Sequence, residues 1–363
     1  MAGVRISGTV VIPSCSPPFG MQRLSDGSFN VYRACVGDTA GDATQYSDFA
    51  DGDTVIGNIH NVRLSPDGAT ILFQLLSEVS GLEEIWVVDN VPGSTPTQLL
   101  ADGTDSFYHP SWAPDSDTFV YVQAAGAGLP TGGAVKKDAV SAIGSPATLK
   151  TAAAGFSVYR PQFNFDGTKV AYWYQQNVGS GDELRCMNDD GTGDAAVDTG
   201  VGNYDNNNPQ QFGWARGSNM IAYDAGANAY VINSDGTGRV AINANGPAAG
   251  ANFNITSDCW AMDDSFVVVT ANLFGSPELV RAELDGSSTS RLNTSHTMPN
   301  QTWMRGAFIY NSRVWFAETI GGGGEIRKVA STLQDGTDYR VDLDVSLDTV
   351  LAGFFGGDGF VWD

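Results

Sequence analysis

The chain has 363 residues, enough for a large buried core in one or two domains, and sets 41 Asp and Glu against 19 Lys and Arg for a formal net charge of −22. With no basic stripe to displace counterions, nucleic acid is excluded as an expected partner, and an acidic membrane surface repels the same charge. Forty-four glycines and only 17% charged residues suit many turns and short strands, and strong acidity with scarce lysine suits a chain kept soluble in high salt.

Residues 1–21 read as an irregular N-terminal arm. Val10, Val11 and Ile12 suffice for one edge strand but are too short for a signal peptide's apolar region, and Pro13, Pro17 and Pro18 break the rest. No apolar run reaches membrane-span length, so no membrane insertion is expected. Of the four cysteines, Cys186 and Cys259 fall inside predicted strands as buried thiols. Cys15 and Cys35 are the one pair considered for a bridge, and no CxxC or metal spacing exists.

From residue 64 onward a unit recurs. It is LSPDGATILF at Leu64, WAPDSDTFVY at Trp112, FNFDGTKVAY at Phe163, WARGSNMIAY at Trp214, WAMDDSFVVV at Trp260, FIYNSRVWFA at Phe308 and FFGGDGFVWD at Phe354. Each copy opens on an anchor, aromatic or Leu, passes through a turn, and ends in an apolar run. In Ser65-Pro66-Asp67-Gly68, Pro presets φ, Asp bonds local backbone and Gly supplies positive φ, which makes a tight hairpin. Seven residues after the anchors stand Ile71, Phe119, Val170, Ile221, Val267, Trp315 and Val361, each followed by another apolar residue. Such a run predicts a strand covered on both faces.

The second half of each unit predicts a strand (Ile85–Val88, Val135–Ala139, Leu184–Met187, Tyr230–Asn233, Leu279–Glu283, Ile326–Ala330). Turns such as Asp190-Gly191-Thr192-Gly193 follow, and then a polar outer strand. Residues 29–48 match such a second half, and 354–363 match a first half. The expected fold is therefore all-β: a single seven-bladed β-propeller over 22–363, closed by a composite blade from both termini, with almost no helix.

The LSPDG and WAPDS turns, with the apolar strand and DGTG turn, resemble the PD40 or TolB-like (WD40-like) propeller repeat over residues 29–363. TolB-like proteins of this kind imply a periplasmic interaction scaffold, although they have six blades, an N-terminal α/β domain and an export signal. The repeats also decay, with Arg216-Gly217 replacing Pro-Asp.

Three residues before each anchor, the first strand should reach the channel mouth. Asn61, His109, Arg160, Gln211, Ser257, Arg305 and Leu351 stand there, six of them polar and two cationic. They form the candidate ligand site, since convergent polar groups in a concavity are the default site; the alternative is a hydrated channel with no ligand. His60, His109 and His296 are the only histidines. Only His109 falls at the expected rim, so the His-and-metal cluster of oligogalacturonate lyases is not expected. No G-x-S-x-G elbow appears. Residues 188–194 lack the Glu and helices of a calcium loop, and a carboxylate pair such as Asp198 with Asp205 cannot be assigned from sequence. The sequons at Asn254, Asn293 and Asn300 match the short glycosylation pattern only.

The expected protein is a non-catalytic interaction propeller without a cofactor or metal, and its partner a protein or an acidic glycan. By elimination it is placed on a virion surface as a host-contacting component, with the arm docking it to neighbours. The alternatives are a periplasmic or cell-surface TolB-like scaffold and a carbohydrate-active propeller enzyme; extracellular and cytoplasmic locations also stay open.

Overall fold

The computed structural model describes residues 19–22, 29–33, 44–49, 59–77, 79–126, 132–176, 181–199, 201, 212–225, 228–245, 253–255, 259–273, 276–292, 302–310, 313–320, 326–334 and 340–344. Among these residues there is no α-helix, and the one 3-10 turn is Val140–Ala142. The strands form seven antiparallel sheets in which sequence neighbours pair.

The first sheet has three strands, Phe19–Gln22, Phe29–Arg33 and Thr44–Gln45. The other six have four each, here a to d. The second sheet runs Ile59–Leu64, Thr70–Leu76, Glu83–Asp89 and Thr97–Leu100, and the third Asp105–Trp112, Thr118–Ala125, Ala134–Ala139 and Ala147–Thr151. The fourth is Phe156–Phe163, Lys169–Gln176, Glu183–Asn188 and Ala195–Thr199, and the fifth Phe212–Trp214, Met220–Ala225, Asn228–Asn233 and Val240–Ala241. The sixth is Phe253–Asn254, Phe266–Leu273, Ser276–Glu283 and Thr289–Arg291, and the seventh Thr302–Tyr310, Arg313–Ile320, Ile326–Leu333 and Arg340–Asp344. Every predicted c strand is present, most with one or two more residues at an end.

The core lies between sheets. On strand b, Ile71, Phe119, Val170, Ile221 and Val267 are fully buried, and so are their successors Leu72, Val120, Ala171, Ala222 and Val268. Successive residues of a strand face opposite ways, so each b strand is covered on both sides, as its continuous apolar run requires. From the second sheet to the sixth, one face packs on the sheet before and the other on the sheet after. Phe73 joins Val31 and Tyr46 of the first sheet, while Leu72 joins Phe107, Trp112 and Tyr121 of the third. The same alternation continues to the sixth sheet, whose b and c strands lie against strand a of the seventh. Each such Val, Leu or Phe contributes roughly 1.5–3 kcal/mol.

The anchor tryptophans link sheets by a rule. The indole N–H of Trp112 donates to the Arg63 carbonyl (3.2 Å), that of Trp214 to Gln162 (3.2 Å) and that of Trp260 to Gly213 (2.8 Å). Each acceptor directly precedes the anchor of the previous sheet. Trp260 is fully buried, so the ring covers both its own bond and the carbonyl it satisfies.

The a–b turns keep one geometry while their sequence drifts. Gly68 has φ +74°, and the Asp67 carboxylate accepts from the Ala69 N–H at 3.0 Å. In the third and sixth sheets the equivalent of Gly68 is Ser116 (φ +62°) or Asp264 (φ +56°). Each takes over a neighbour's polar group: Ser116 Oγ accepts from the Asp67 N–H, and Asp264 accepts from the Arg216 and Gly217 N–H groups, both at 2.7 Å. The fifth sheet, where Arg216-Gly217 replaces Pro-Asp, is thus served by the next sheet's carboxylate. The c–d turns meet the preceding sheet more tightly still. A Cβ on Gly286, which has φ +69°, would lie 2.5 Å from the Ala241 carbonyl oxygen.

One expectation needs revision. Residues 19–21 were assigned to the arm and strand 360–362 to the first sheet beside 29–33. Phe19–Gln22 crosses that boundary and pairs with Phe29–Arg33, whose other edge holds Thr44–Gln45. Both edges of the central strand are filled from the N-terminal side. Residues 1–18 and 345–363, including Cys15, the Val10–Ile12 run and the C-terminal copy, lie outside the described residues, as does Cys35. Cys186 and Cys259 are buried free thiols, as expected.

Two outcomes test this account. Trp260→Phe leaves the buried Gly213 carbonyl without its donor, which costs about 1–3 kcal/mol; urea unfolding should show that loss, and unchanged stability would remove the indole bond from the account. The second concerns acid. The Asp67 carboxyl is held below its ordinary value by the Ser65 hydroxyl and the Ala69 amide. Asp166, Asp190, Asp235, Asp263 and Asp285 are held down likewise by the hydroxyl and amide two residues on. A depressed folded pKa contributes stability that is present above the unfolded value and is lost as pH falls through the folded one. Melting temperature should therefore fall below about pH 4. Measuring it in molar salt, where screening acts within about 3 Å, removes the opposing gain from relieved self-repulsion. A melting temperature that holds to pH 2.5 would mean these turns do not need ionised aspartates.

Candidate functional site

The first strands of the second, third and fourth sheets break register at one place. The ladder slips between His60 and Arg63, between Tyr108 and Ser111, and between Tyr159 and Gln162. The residues inside these bulges are Asn61, His109 and Arg160, the three that the sequence offset selects, and all are left-handed, with φ +50°, +52° and +48°. Bulges re-aim side chains and gather at functional sites, and a non-glycine residue with positive φ is uncommon and carries a backbone cost.

The sequence contained a signal for this. Pro110 and Pro161 follow His109 and Arg160 inside strand a, in the parallel motifs Tyr108-His109-Pro110 and Tyr159-Arg160-Pro161. A proline has no N–H for the ladder and within sheets is confined to edges and bulges. Asn61, the third member, is of a type that tolerates the left-handed region.

These side chains do not form an open rim. Asn61, His109 and Arg160 are 5%, 7% and 3% exposed, so these side chains lie in the packed zone between neighbouring strands. Gln74 on strand b ties two of them together. Its Oε1 accepts from Asn61 Nδ2 at 2.7 Å and from the His109 backbone N–H at 2.8 Å, which joins the second sheet to the third. The His109 ring stands 6.1 Å from Tyr108 and 6.3 Å from Tyr159, centroid to centroid. Burial pushes the phenols of Tyr108 and Tyr159 up from their ordinary value, which keeps both neutral and able to donate.

Two further positions at this level have a buried polar atom with no protein partner. They are Trp173 Nε1 and Thr270 Oγ1, on residues 2% and 1% exposed. Each stands ten residues after its anchor, as Gln74 does. Asn61 Oδ1 is a third such atom.

Arg305 lies on strand a of the seventh sheet beside another register slip, between Arg305 and Ala307. Gln211, Ser257 and Leu351 lie outside the described residues. Among the described residues no three His, Cys, Asp or Glu side chains come together as a metal site. The turn once compared with a calcium loop is a plain c–d turn: Asp194 accepts from Lys150, Arg185 and Tyr172, and Asp189 pairs with Lys137. Asp198 is engaged by Tyr223 and Arg239, and Asp205 lies outside the described residues.

Gln74→Leu should cost about 2–6 kcal/mol, because it removes the acceptor of two buried donors at about 1–3 kcal/mol each. Chemical unfolding measures it, and a loss below about 1 kcal/mol would show that the bridge between the two bulges is dispensable.

No family model matches the chain, and no curated protein does. Among solved structures it is similar to prolyl oligopeptidase B from Galerina marginata, with TM-score 0.60 and 12% identity over 93% of this chain and 52% of that one. The chain thus spans about half the length of that protein. It is also similar to an oligogalacturonate lyase solved in complex with manganese, with TM-score 0.58 and 14% identity over 96% of this chain and 89% of that one. A putative TolB from Agrobacterium tumefaciens aligns at TM-score 0.44 and 12% identity over 96% and 91% of the two chains, too weak a likeness to carry the TolB resemblance further. The first two likenesses concern the fold: an all-β chain of propeller-like sheets.

Proposed function

We infer that this protein is a non-catalytic binding module built on a seven-bladed propeller, with its ligand site at the bulge level of the a strands. Seven sheets that pack one on the next in chain order support the ring. On this reading the C-terminal copy, residues 354–363, helps close the ring with the first sheet. The observation that carries the functional reading is the row Asn61, His109 and Arg160. Three neighbouring sheets hold an amide, an imidazole and a guanidinium at the same register, each buried and each at a backbone cost. Packing alone favours apolar residues in ordinary conformations there, and strain of this kind gathers at ligand clamps.

The ligand class is anionic: an acidic glycan or an acidic loop of a partner protein. Arg160 places a guanidinium at this level of an acidic chain, and a guanidinium pairs bidentately with a carboxylate or sulfate. Screening the wild type against a panel of sulfated and uronate-containing glycans should find a binder. Arg160→Ala should weaken it about tenfold or more, and Arg160→Lys, which keeps the charge but loses the fork, should fall between. Melting curves separate lost binding from lost folding. Equal binding by wild type and by a folded Arg160→Ala would put the site elsewhere, and no anionic binder at all would reject the ligand class.

A further inference from the structure

The a–b and c–d turns share one end of the sheets, as their mutual bonds show: the Asn90 N–H donates to the Ala69 carbonyl, Asp189 to Thr168 and Ser234 to Asn219. Of the exposed large hydrophobic residues Val79, Val91, Phe165 and Met262, three stand on this end. Phe165 and Met262 occupy the first corner of their a–b turns, 41% and 50% exposed, and Val91 lies in a c–d turn at 58%. Pro66 and Pro114 take the same corner as Phe165 in their own sheets and are exposed too. Exposed apolar side chains gathered on one face mark an interaction surface, whereas isolated ones do not.

The charge around them decides what fits. Asp67, Asp115, Asp166 and Asp263 each follow one of these corners, and Asp190, Asp235 and Asp285 sit in the c–d turns; all seven are exposed. In six of them every protein bond goes to Oδ1, as when Asp166 takes both the N–H and the hydroxyl of Thr168. Among the described residues none of these six forms an ion pair. Where a cation does lie here it behaves as a partner's would: the Arg216 guanidinium sits 5.0 Å over the Phe165 ring.

The geometry points to this turn face as a second binding surface, distinct from the bulge site, that docks a basic amphipathic protein segment whose apolar side chains meet Phe165, Met262 and Val91 and whose lysines or arginines meet the aspartates. Aspartates alone would attract any cation; the apolar tips among them select a partner that carries both.

The test uses the full chain and two labelled synthetic peptides of equal charge, one of lysine and leucine patterned as an amphipathic helix and one of lysine and serine. Fluorescence anisotropy in 0.15 M sodium chloride reads binding. The lysine–leucine peptide should bind the wild type at least about tenfold more tightly than the lysine–serine one. Phe165→Ser with Met262→Ser should remove about tenfold or more, the loss expected for apolar anchors. Asp166→Asn with Asp263→Asn, which keeps an oxygen for each turn amide, should also weaken binding, while Val79→Ser on the opposite end leaves it unchanged. Equal binding of the two peptides, no binding of either, or an undiminished affinity in the folded Phe165/Met262 variant overturns the proposal. So does concentration-dependent self-association in sedimentation that the same variant abolishes, because the face would then meet a second copy of this chain.

Discussion

A strand buried on both faces cannot be stable alone. Ile71 and Leu72, adjacent and both fully covered, need one sheet on each side, and so do the b strands of the third to sixth sheets. Stability here is therefore a property of neighbours, as in other repeat architectures whose units cannot bury their apolar faces singly. The same constraint explains why the indole N–H of each anchor tryptophan reaches backward to the sheet before it. A carbonyl just ahead of an anchor is buried by the next sheet and must find its donor there.

That dependence also governs how the repeat decays. A turn can lose its own aspartate if a neighbour supplies one. The amides of Arg216 and Gly217 are taken by Asp264, and the Asp67 amide by Ser116. Both accepting residues, Asp264 and Ser116, sit at left-handed positions where the first repeat has Gly68. The backbone shape is retained without glycine because the side chain gains a bond that offsets part of the conformational cost.

Much of this was legible in the sequence, for physical reasons. Continuous apolar runs after a Pro-Asp-Gly turn leave few alternatives to a two-sided strand, and all six c strands sit where the pattern puts them. The offset three before the anchor was legible as polar, and it selected Asn61, His109 and Arg160. Their burial and left-handed backbone were not read, because burial depends on which way a bulge turns a side chain, and that is set by the neighbouring sheet. Pro110 and Pro161 were the available sign. The strand Phe19–Gln22 carried no repeat signature at all: its four residues are held by pairing with Phe29–Arg33, a tertiary circumstance that local pattern does not encode.

The turn end of the sheets and the bulge level follow opposite rules. At the turn end several special conformations come with an aspartate bond on the same turn or the next one, as at Gly68 and Asp264. At the bulge level the left-handed residues are not repaid in that way. Gln74 serves Asn61 and His109, yet Asn61 Oδ1, Trp173 Nε1 and Thr270 Oγ1 stay without a protein partner in nearly complete burial. A fold that elsewhere satisfies each orphaned amide across sheet boundaries has the means to satisfy these. Buried polar atoms left unmatched by the described residues are commonly met by ordered water. The bulge level is also where local sequence rules fail, with prolines inside strands and bulky residues at positive φ. Where local rules break together and in register, a constraint other than packing has shaped the residues.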